Sequence, residues 1–340
     1  MLKLEERTFH RIGKLSSEEL SNKIIGKIHN KRTILGPRAG VDYGIYGSDS
    51  NKIVLTTDPL SCHVPLGMEF AAKFGFHIIL ADFMASGNMP EFLTATLVIP
   101  ESFSDDDLER YWNSFTSESN IWDVDIVTGH TGRYPSASLP LIGSVTMGGL
   151  QKSLSPDPAN GNSGDALYLI GIPGIQAAVI IAAYEKKGLE ESLRRKILGM
   201  KNELIASEKI LEVLKFNEER GGIFVIHDVT EGGLINALYE IADVCSSDLE
   251  LVSGKLNMDE NVNKFLNMHS IDPLRTTSEG CVIIGVKEDE SASFQRFMNS
   301  RGINAIRMGS LGKKKGRDVY IDGTIMKNVT GDSYWEAVGK

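Results

Sequence analysis

Ile53-Val54-Leu55-Thr56-Thr57-Asp58-Pro59 is the stretch on which the reading of this chain turns. Three apolar β-formers in a row predict a buried strand. Two hydroxyls and a carboxylate follow, and Pro59, which has no N–H and restricts the residue before it, is expected to end the ladder there. In an open α/β layer, ligands gather beyond the carboxyl ends of strands. Asp58 is therefore placed to hold a cation; the alternative is a turn Asp bonded to its own backbone.

Working outward, similar arrangements recur. A glycine-rich loop, Gly36-Pro-Arg-Ala-Gly-Val-Asp-Tyr-Gly44, carries Asp42. Gly67–Phe76 and Ile78–Ser86 read as two helical segments, the second holding Asp82 among Leu80, Phe83 and Met84. Phe92–Ile99 is a strand between Pro90 and Pro100. Ser104 caps a helix to Thr116, whose first turn holds Asp105, Asp106 and Asp107; the helix dipole explains that triplet without a function. Val124–Val127 is a short strand running into Thr128-Gly129-His130-Thr131-Gly132-Arg133, and Leu139–Met147 another, ending in Gly148-Gly149. Residues 1 to about 30 are charged and mildly helical, with Ser16-Ser17-Glu18-Glu19 as a helix start.

A polar, proline-containing stretch from 151 to 163 predicts a linker, giving two domains, 1–150 and 151–340. The second alternates strands and helices: a strand at Ala166–Gly171, helices at Gly174–Glu185 and Glu190–Phe216, and a strand at Ile223–His227. That strand runs into His227-Asp228-Val229-Thr230-Glu231-Gly232-Gly233, and a helix begins directly afterwards at Leu234–Ala242. Its free N–H groups are expected to point at whatever Asp228 binds. Cys281–Val286, Ala305–Met308 and Val319–Ile321 read as strands and Glu290–Ser300 as a helix. The fold class is α/β (α+β) with mixed sheets.

The bulk numbers narrow the function. The chain has 340 residues, 41% hydrophobic and 24% charged, with a formal net charge of −9. That balance argues against nucleic acid, which wants a basic face. Cys62, Cys245 and Cys281 form no C-x-x-C pair, which fits a reducing compartment and a cytoplasmic location. The first residues lack a signal-peptide core, and the longest apolar run, Gln176–Tyr184, is far short of the ~20 residues a membrane span needs. Phosphate-loop, dinucleotide, nucleophile-elbow and H-E-x-x-H patterns are absent.

Asp42, Asp58, Asp82 and Asp228 could share one pocket only with compensation, since like charges at close range oppose one another's ionisation. Mg²⁺ resolves this, because it takes a few carboxylates together with phosphates and water. The bound ion also supplies the positive potential that an acidic protein lacks. The residues thus point to a Mg²⁺–nucleotide site.

The order Thr57-Asp58, Ala81-Asp82-Phe83-Met84-Ala85-Ser86-Gly87, Gly129-His130-Thr131 and His227-Asp228-Val229-Thr230-Glu231-Gly232-Gly233 resembles the ATP-binding superfamily of aminoimidazole ribonucleotide (AIR) synthetase, the PurM-like fold. His227 to Leu234, and Asp272-Pro-Leu-Arg-Thr-Thr-Ser-Glu-Gly280, resemble its hydrogenase maturation members, HypE, in particular. The resemblance implies two α/β domains, the N-terminal one pairing across a homodimer, with ATP and Mg²⁺ in the cleft. It implies Asp42, Asp58, Asp82 and Asp228 as metal and phosphate ligands. Thr57, Gly129, Thr131, Gly132 and Thr230 become nucleotide contacts, and His130 a phosphate or substrate contact. HypE chains end in a cysteine that carries the carbamoyl group; this sequence ends Glu336-Ala-Val-Gly-Lys340, so the acceptor stays unassigned. Residues 1–44 lack the cysteine of selenophosphate synthetase, and Pro65 stands where thiamine monophosphate kinase has a His. Cys62, close after Asp58, is the one thiol worth testing. The expected function is ATP-dependent phosphoryl transfer to an oxygen of a small-molecule acceptor. The alternatives are a maturation factor acting with a protein partner and a nucleotide-binding regulator without turnover.

Overall fold

The computed structural model describes residues 15, 17–38, 40–48, 51–152, 155–185, 190–327 and 331–338. Residues 1–14 and Ser16 of the expected N-terminal helix, Ser153 and Leu154 of the linker, and Gly339 and Lys340 lie outside them.

Strands β1 (Thr33–Leu35), β2 (Gly44–Ser48), β3 (Asn51–Ser61), β4 (Phe92–Ile99), β5 (Asp125–Arg133) and β6 (Leu141–Leu150) make a six-stranded sheet in the order β1-β2-β3-β6-β4-β5. Strands β7 (Ala166–Ile170), β8 (Ile223–Asp228), β9 (Ser247–Leu251), β10 (Val282–Val286), β11 (Ile306–Lys314), β12 (Val319–Ile321) and β13 (Thr324–Ile325) make a seven-stranded one in the order β13-β12-β9-β11-β7-β10-β8. Both are mixed: among the described residues only β4–β5 and β9–β12 pair in parallel. β9 follows α7 directly and was not anticipated from the sequence.

The described helices are α1 (Ser17–Lys23), α2 (Met68–Ala85), α3 (Asp105–Ile121), α4 (Ile175–Tyr184), α5 (Glu191–Gly199), α6 (Ser207–Arg220), α7 (Gly233–Cys245), α8 (Glu260–Met268), α9 (Glu288–Ser300) and α10 (Ser333–Val338). α2 is apolar nearly all round, because it lies between elements of both sheets and packs on α3, α6, β3 and β8. One continuous core runs from Val54, Leu60 and Phe83 through to Tyr168, Phe216 and Phe294. No described helix is long and apolar enough to cross a membrane.

Four expectations need correction. α2 is one helix, not two. His77, which falls between the two expected segments, is buried within it and bonded to Ser207 Oγ and Glu118 Oε2, both at 3.0 Å. Glu190–Phe216 is not one helix: a 3₁₀ turn at Lys201–Leu204 separates α5 from α6. Pro59 does not end β3, which continues to Ser61 against β6. β2 stops at Gly44 opposite Leu55, so β3 has one open edge at Pro59, where a missing N–H costs no ladder bond. Likewise Thr128 to Arg133 is no loop but the second half of β5, an edge strand paired with β4.

Ser104 caps α3 as expected, accepting from the Asp107 N–H at 3.0 Å. Ser104→Ala is expected to cost ~1 kcal/mol in denaturant unfolding. A cost below a few tenths would mean that the cap bond contributes nothing.

Candidate metal and nucleotide site

The alternation of β3 sorts its residues. Val54, Thr56 and Leu60 are buried, and Asp58 shares their side, that of α2. Thr57 and Pro59 are exposed on the opposite side, where Thr57 Oγ1 accepts from Thr146 Oγ1 at 3.0 Å. Thr57 and Asp58, neighbours in sequence, thus serve opposite faces of the sheet. Thr56 Oγ1 donates to the Asp42 carbonyl at 2.7 Å and so fastens the glycine-rich loop to β3.

β8 brings the second half of the site. All six of its residues are buried, so His227 and Asp228 end an otherwise apolar strand. His227 Nδ1 lies 3.2 Å from Asp42 Oδ2 and 3.5 Å from Asp228 Oδ1, while Nε2 bonds Glu240 Oε2 of α7 at 3.1 Å. One ligand atom from each of Asp42, His227 and Asp228 lies within 4.8 Å of the others, the one such metal-ready group among the described residues. β10 pairs Val282 with Asp228, and the buried Glu279 lies in the loop entering it.

The electrostatics show how tightly the acids converge. Asp82, half-buried on α2, has its carboxyl pushed well above the usual range by burial first, then by Asp228, Asp58, Asp42 and Glu279. Asp42, Asp58, Asp228 and Glu279 therefore all lie within electrostatic reach of Asp82. Burial opposes a charge on His227, yet Asp42, Asp228 and Glu240 outweigh it and hold the imidazole well above the usual histidine range. A buried cluster of this kind is costly without a cation. Its hard oxygen donors fit Mg²⁺, and such an ion would supply charge neutralisation for phosphate oxygens.

His227, Glu240 and Glu279 were absent from the residues expected in the site. His227 reads in sequence as the end of a buried strand, and Glu240 lies thirteen residues on in the next helix. No short motif joins them.

Other expected residues are placed differently. Gly129, His130, Thr131 and Gly132 sit on β5, with Ala95, Thr96, Leu97 and Val98 opposite them on β4. β5 is three strands from β3, about 14 Å at the usual strand spacing. His130 bonds the Tyr134 hydroxyl at 2.8 Å and is exposed. Within one chain this stretch is not brought to the acids. Thr230 lies in the turn before α7, where its carbonyl accepts from Gly233 N–H. The Gly232 N–H, just ahead of the helix whose N–H groups were expected to face a ligand, donates to Asp332 Oδ2 at 2.8 Å. Asp332 Oδ1 also accepts from Thr276 Oγ1 at 3.0 Å and from Tyr334 N–H at 2.8 Å. Cys62 is buried against Met68, and burial, then Asp107, push its thiol up to about 12, so it is no nucleophile.

Comparison with known proteins gives this geometry a family. Residues 40–150 match the AIR synthase related protein, N-terminal domain, and residues 162–322 its C-terminal domain. A putative hydrogenase expression/formation protein of Methanocaldococcus jannaschii is 27% identical over 210 residues, 62% of this chain, which spans 60% of that relative's length. The structure of a HypE–HypF complex has a TM-score of 0.69 at 23% identity, covering 90% of this chain and 98% of the other. That of AaThiL complexed with AMPPCP and TMP has a TM-score of 0.72 at 18% identity, covering 96% and 98%. With both halves matched in order over two mixed sheets, the chain belongs to the AIR synthase related, PurM-like family and is similar within it to HypE.

Proposed function

We propose that this chain binds ATP with Mg²⁺ at the acid cluster and uses it, in the manner of HypE, to activate an oxygen of an acceptor. The observation that carries this reading is the meeting of Asp42, Asp58 and Asp82 from one half of the chain with Asp228 and Glu279 from the other. Such a cluster suits a cation shared with phosphate oxygens better than a structural role, because uncompensated it destabilises the fold. The AMPPCP in the AaThiL complex supports a nucleotide as a ligand of this fold. In this reading the chain's own residues position the phosphates and hold charge away from water; no general base is assigned.

The likeness to a hydrogenase expression/formation protein and to the HypE–HypF pair favours a maturation factor with a protein partner over a metabolic kinase. Pairing of two copies belongs to the same reading. The outer face of the first sheet exposes Tyr46, Leu150 and Thr57, and a second copy could bring its own Gly129–Gly132 edge to the site. Residues 1–150 and 151–340 act as its two domains.

Calorimetric titration tests the core of the proposal. Wild type should bind Mg²⁺–ATP with a micromolar dissociation constant, and Asp58→Asn should weaken it by ~30-fold or more, about 2 kcal/mol. Equal binding by the variant would remove Asp58 from the site, and no binding by wild type would end the nucleotide reading.

A further inference from the structure

The acids explain a magnesium ion, but they do not explain His227. Its side chain is 3% exposed and its Nδ1 is fully buried. That nitrogen makes no well-aligned hydrogen bond: Asp42 Oδ2 at 3.2 Å and Asp228 Oδ1 at 3.5 Å pair with it by charge when the ring is protonated and leave its lone pair directed at them when it is not. A buried ring nitrogen without a hydrogen bond is costly unless something else occupies its lone-pair direction. The other nitrogen is fixed: Nε2 bonds Glu240 Oε2 at 3.1 Å, so the ring cannot turn to relieve Nδ1. A carboxylate behind one imidazole nitrogen with the other aimed at a group of carboxylates is the arrangement that orients a metal-ligating histidine.

We infer that His227 Nδ1 is itself a ligand, with Asp42 and Asp228, and that the site therefore favours a divalent first-row transition ion over Mg²⁺. The inference rests on the reading that these acids hold a cation, and it goes beyond that reading in donor set and ion. Mg²⁺ gains little from a nitrogen donor, whereas Mn²⁺, Fe²⁺ and Zn²⁺ accept imidazole beside carboxylates. Ligation needs the lone pair at Nδ1, so the bound ion stands where a proton would. Glu240 is a positioning residue: it touches neither ion nor phosphate and acts through the ring it aims.

Mn²⁺ alone, without nucleotide, is the probe. Pulsed electron paramagnetic resonance of the wild-type protein should show one bound Mn²⁺ coupled to nitrogen. The coupling should change on ¹⁵N-histidine labelling, a test that needs no variant. His227→Gln should lose the coupling and ~10-fold or more in Mn²⁺ affinity, with Mg²⁺ affinity changed less than threefold. Glu240→Gln should keep the coupling and weaken Mn²⁺ several-fold. Bound Mn²⁺ without histidine coupling, absence of Mn²⁺ binding, or equal losses of Mn²⁺ and Mg²⁺ affinity in His227→Gln would overturn the inference. Mg²⁺–ATP titration of the same wild-type sample separates the two readings. Nucleotide binding without histidine coupling sinks this one alone; histidine-coupled Mn²⁺ without nucleotide binding sinks the ATP reading alone.

Discussion

Asp82→Asn is expected to make the metal-free protein more stable and at the same time unable to hold Mg²⁺–ATP. Asp82 is crowded by burial and by Asp228, Asp58, Asp42 and Glu279, all of which oppose its ionisation. An acid whose folded pKa is raised takes up its proton more readily in the folded state than in the unfolded one. Its penalty is absent below the unfolded value near 3.9, grows as pH rises between the unfolded and folded values, and is complete above the folded one. Asparagine removes the charge and offers two N–H donors to the remaining carboxylates. At pH 7.5 without metal the variant should melt above wild type. Melting curves should show the gain shrinking towards pH 4. Magnesium with ATP should raise the wild-type midpoint and leave the variant's nearly unmoved. A variant less stable than wild type in chelator would mean that Asp82 is well paired in the metal-free protein and that the cluster is not held under mutual repulsion.

The second large effect is structural. Gly280 joins the Thr276–Glu279 loop to β10 at φ +99°, and a Cβ there would stand 2.1 Å from the Glu203 carbonyl oxygen and 2.9 Å from Leu204 Cα. Both are backbone atoms of the 3₁₀ turn between α5 and α6, so neither can swing aside. Gly280→Ala should therefore cost roughly 4 kcal/mol or more, combining left-handed strain with overpacking. Gly164→Ala is the matched control: φ is +91°, but nothing lies within 4 Å of its would-be Cβ. That substitution should cost only ~1 kcal/mol. Equal denaturant midpoints for the two variants would show that backbone conformation, not the Glu203 contact, requires glycine at 280.

Much of the fold was legible because short apolar runs between proline or capping signals leave little choice. Phe92–Ile99 and Val319–Ile321 form strands with the expected bounds, and Ser104 caps its helix. The failures share a cause: local punctuation was read without knowing what lay alongside. Pro59 is harmless where β2 has ended, and the glycines from 129 to 132 extend an edge strand as readily as they form a turn. His77 lies between the two expected helical segments, in a helix that its buried partners Ser207 and Glu118 help keep whole.

The candidate cluster stood out in the sequence through its aspartates, three near a glycine or at a strand end and Asp82 inside an apolar helix. Its histidine did not, because His227 acquires meaning only through Asp42, 185 positions earlier, and through Glu240 on the next helix. Thr57 illustrates the opposite error. The resemblance made Thr57 a nucleotide contact beside Asp58, yet pleating turns the two side chains to opposite sides of the sheet.

The carboxylate of Asp332 seated at the start of α7 carries a consequence for any anion that approaches that helix. The seat is taken by a rival that belongs to the same chain. A newcomer must win a contest against a resident that never diffuses away, and victory would loosen Tyr334 and Thr276 together with it.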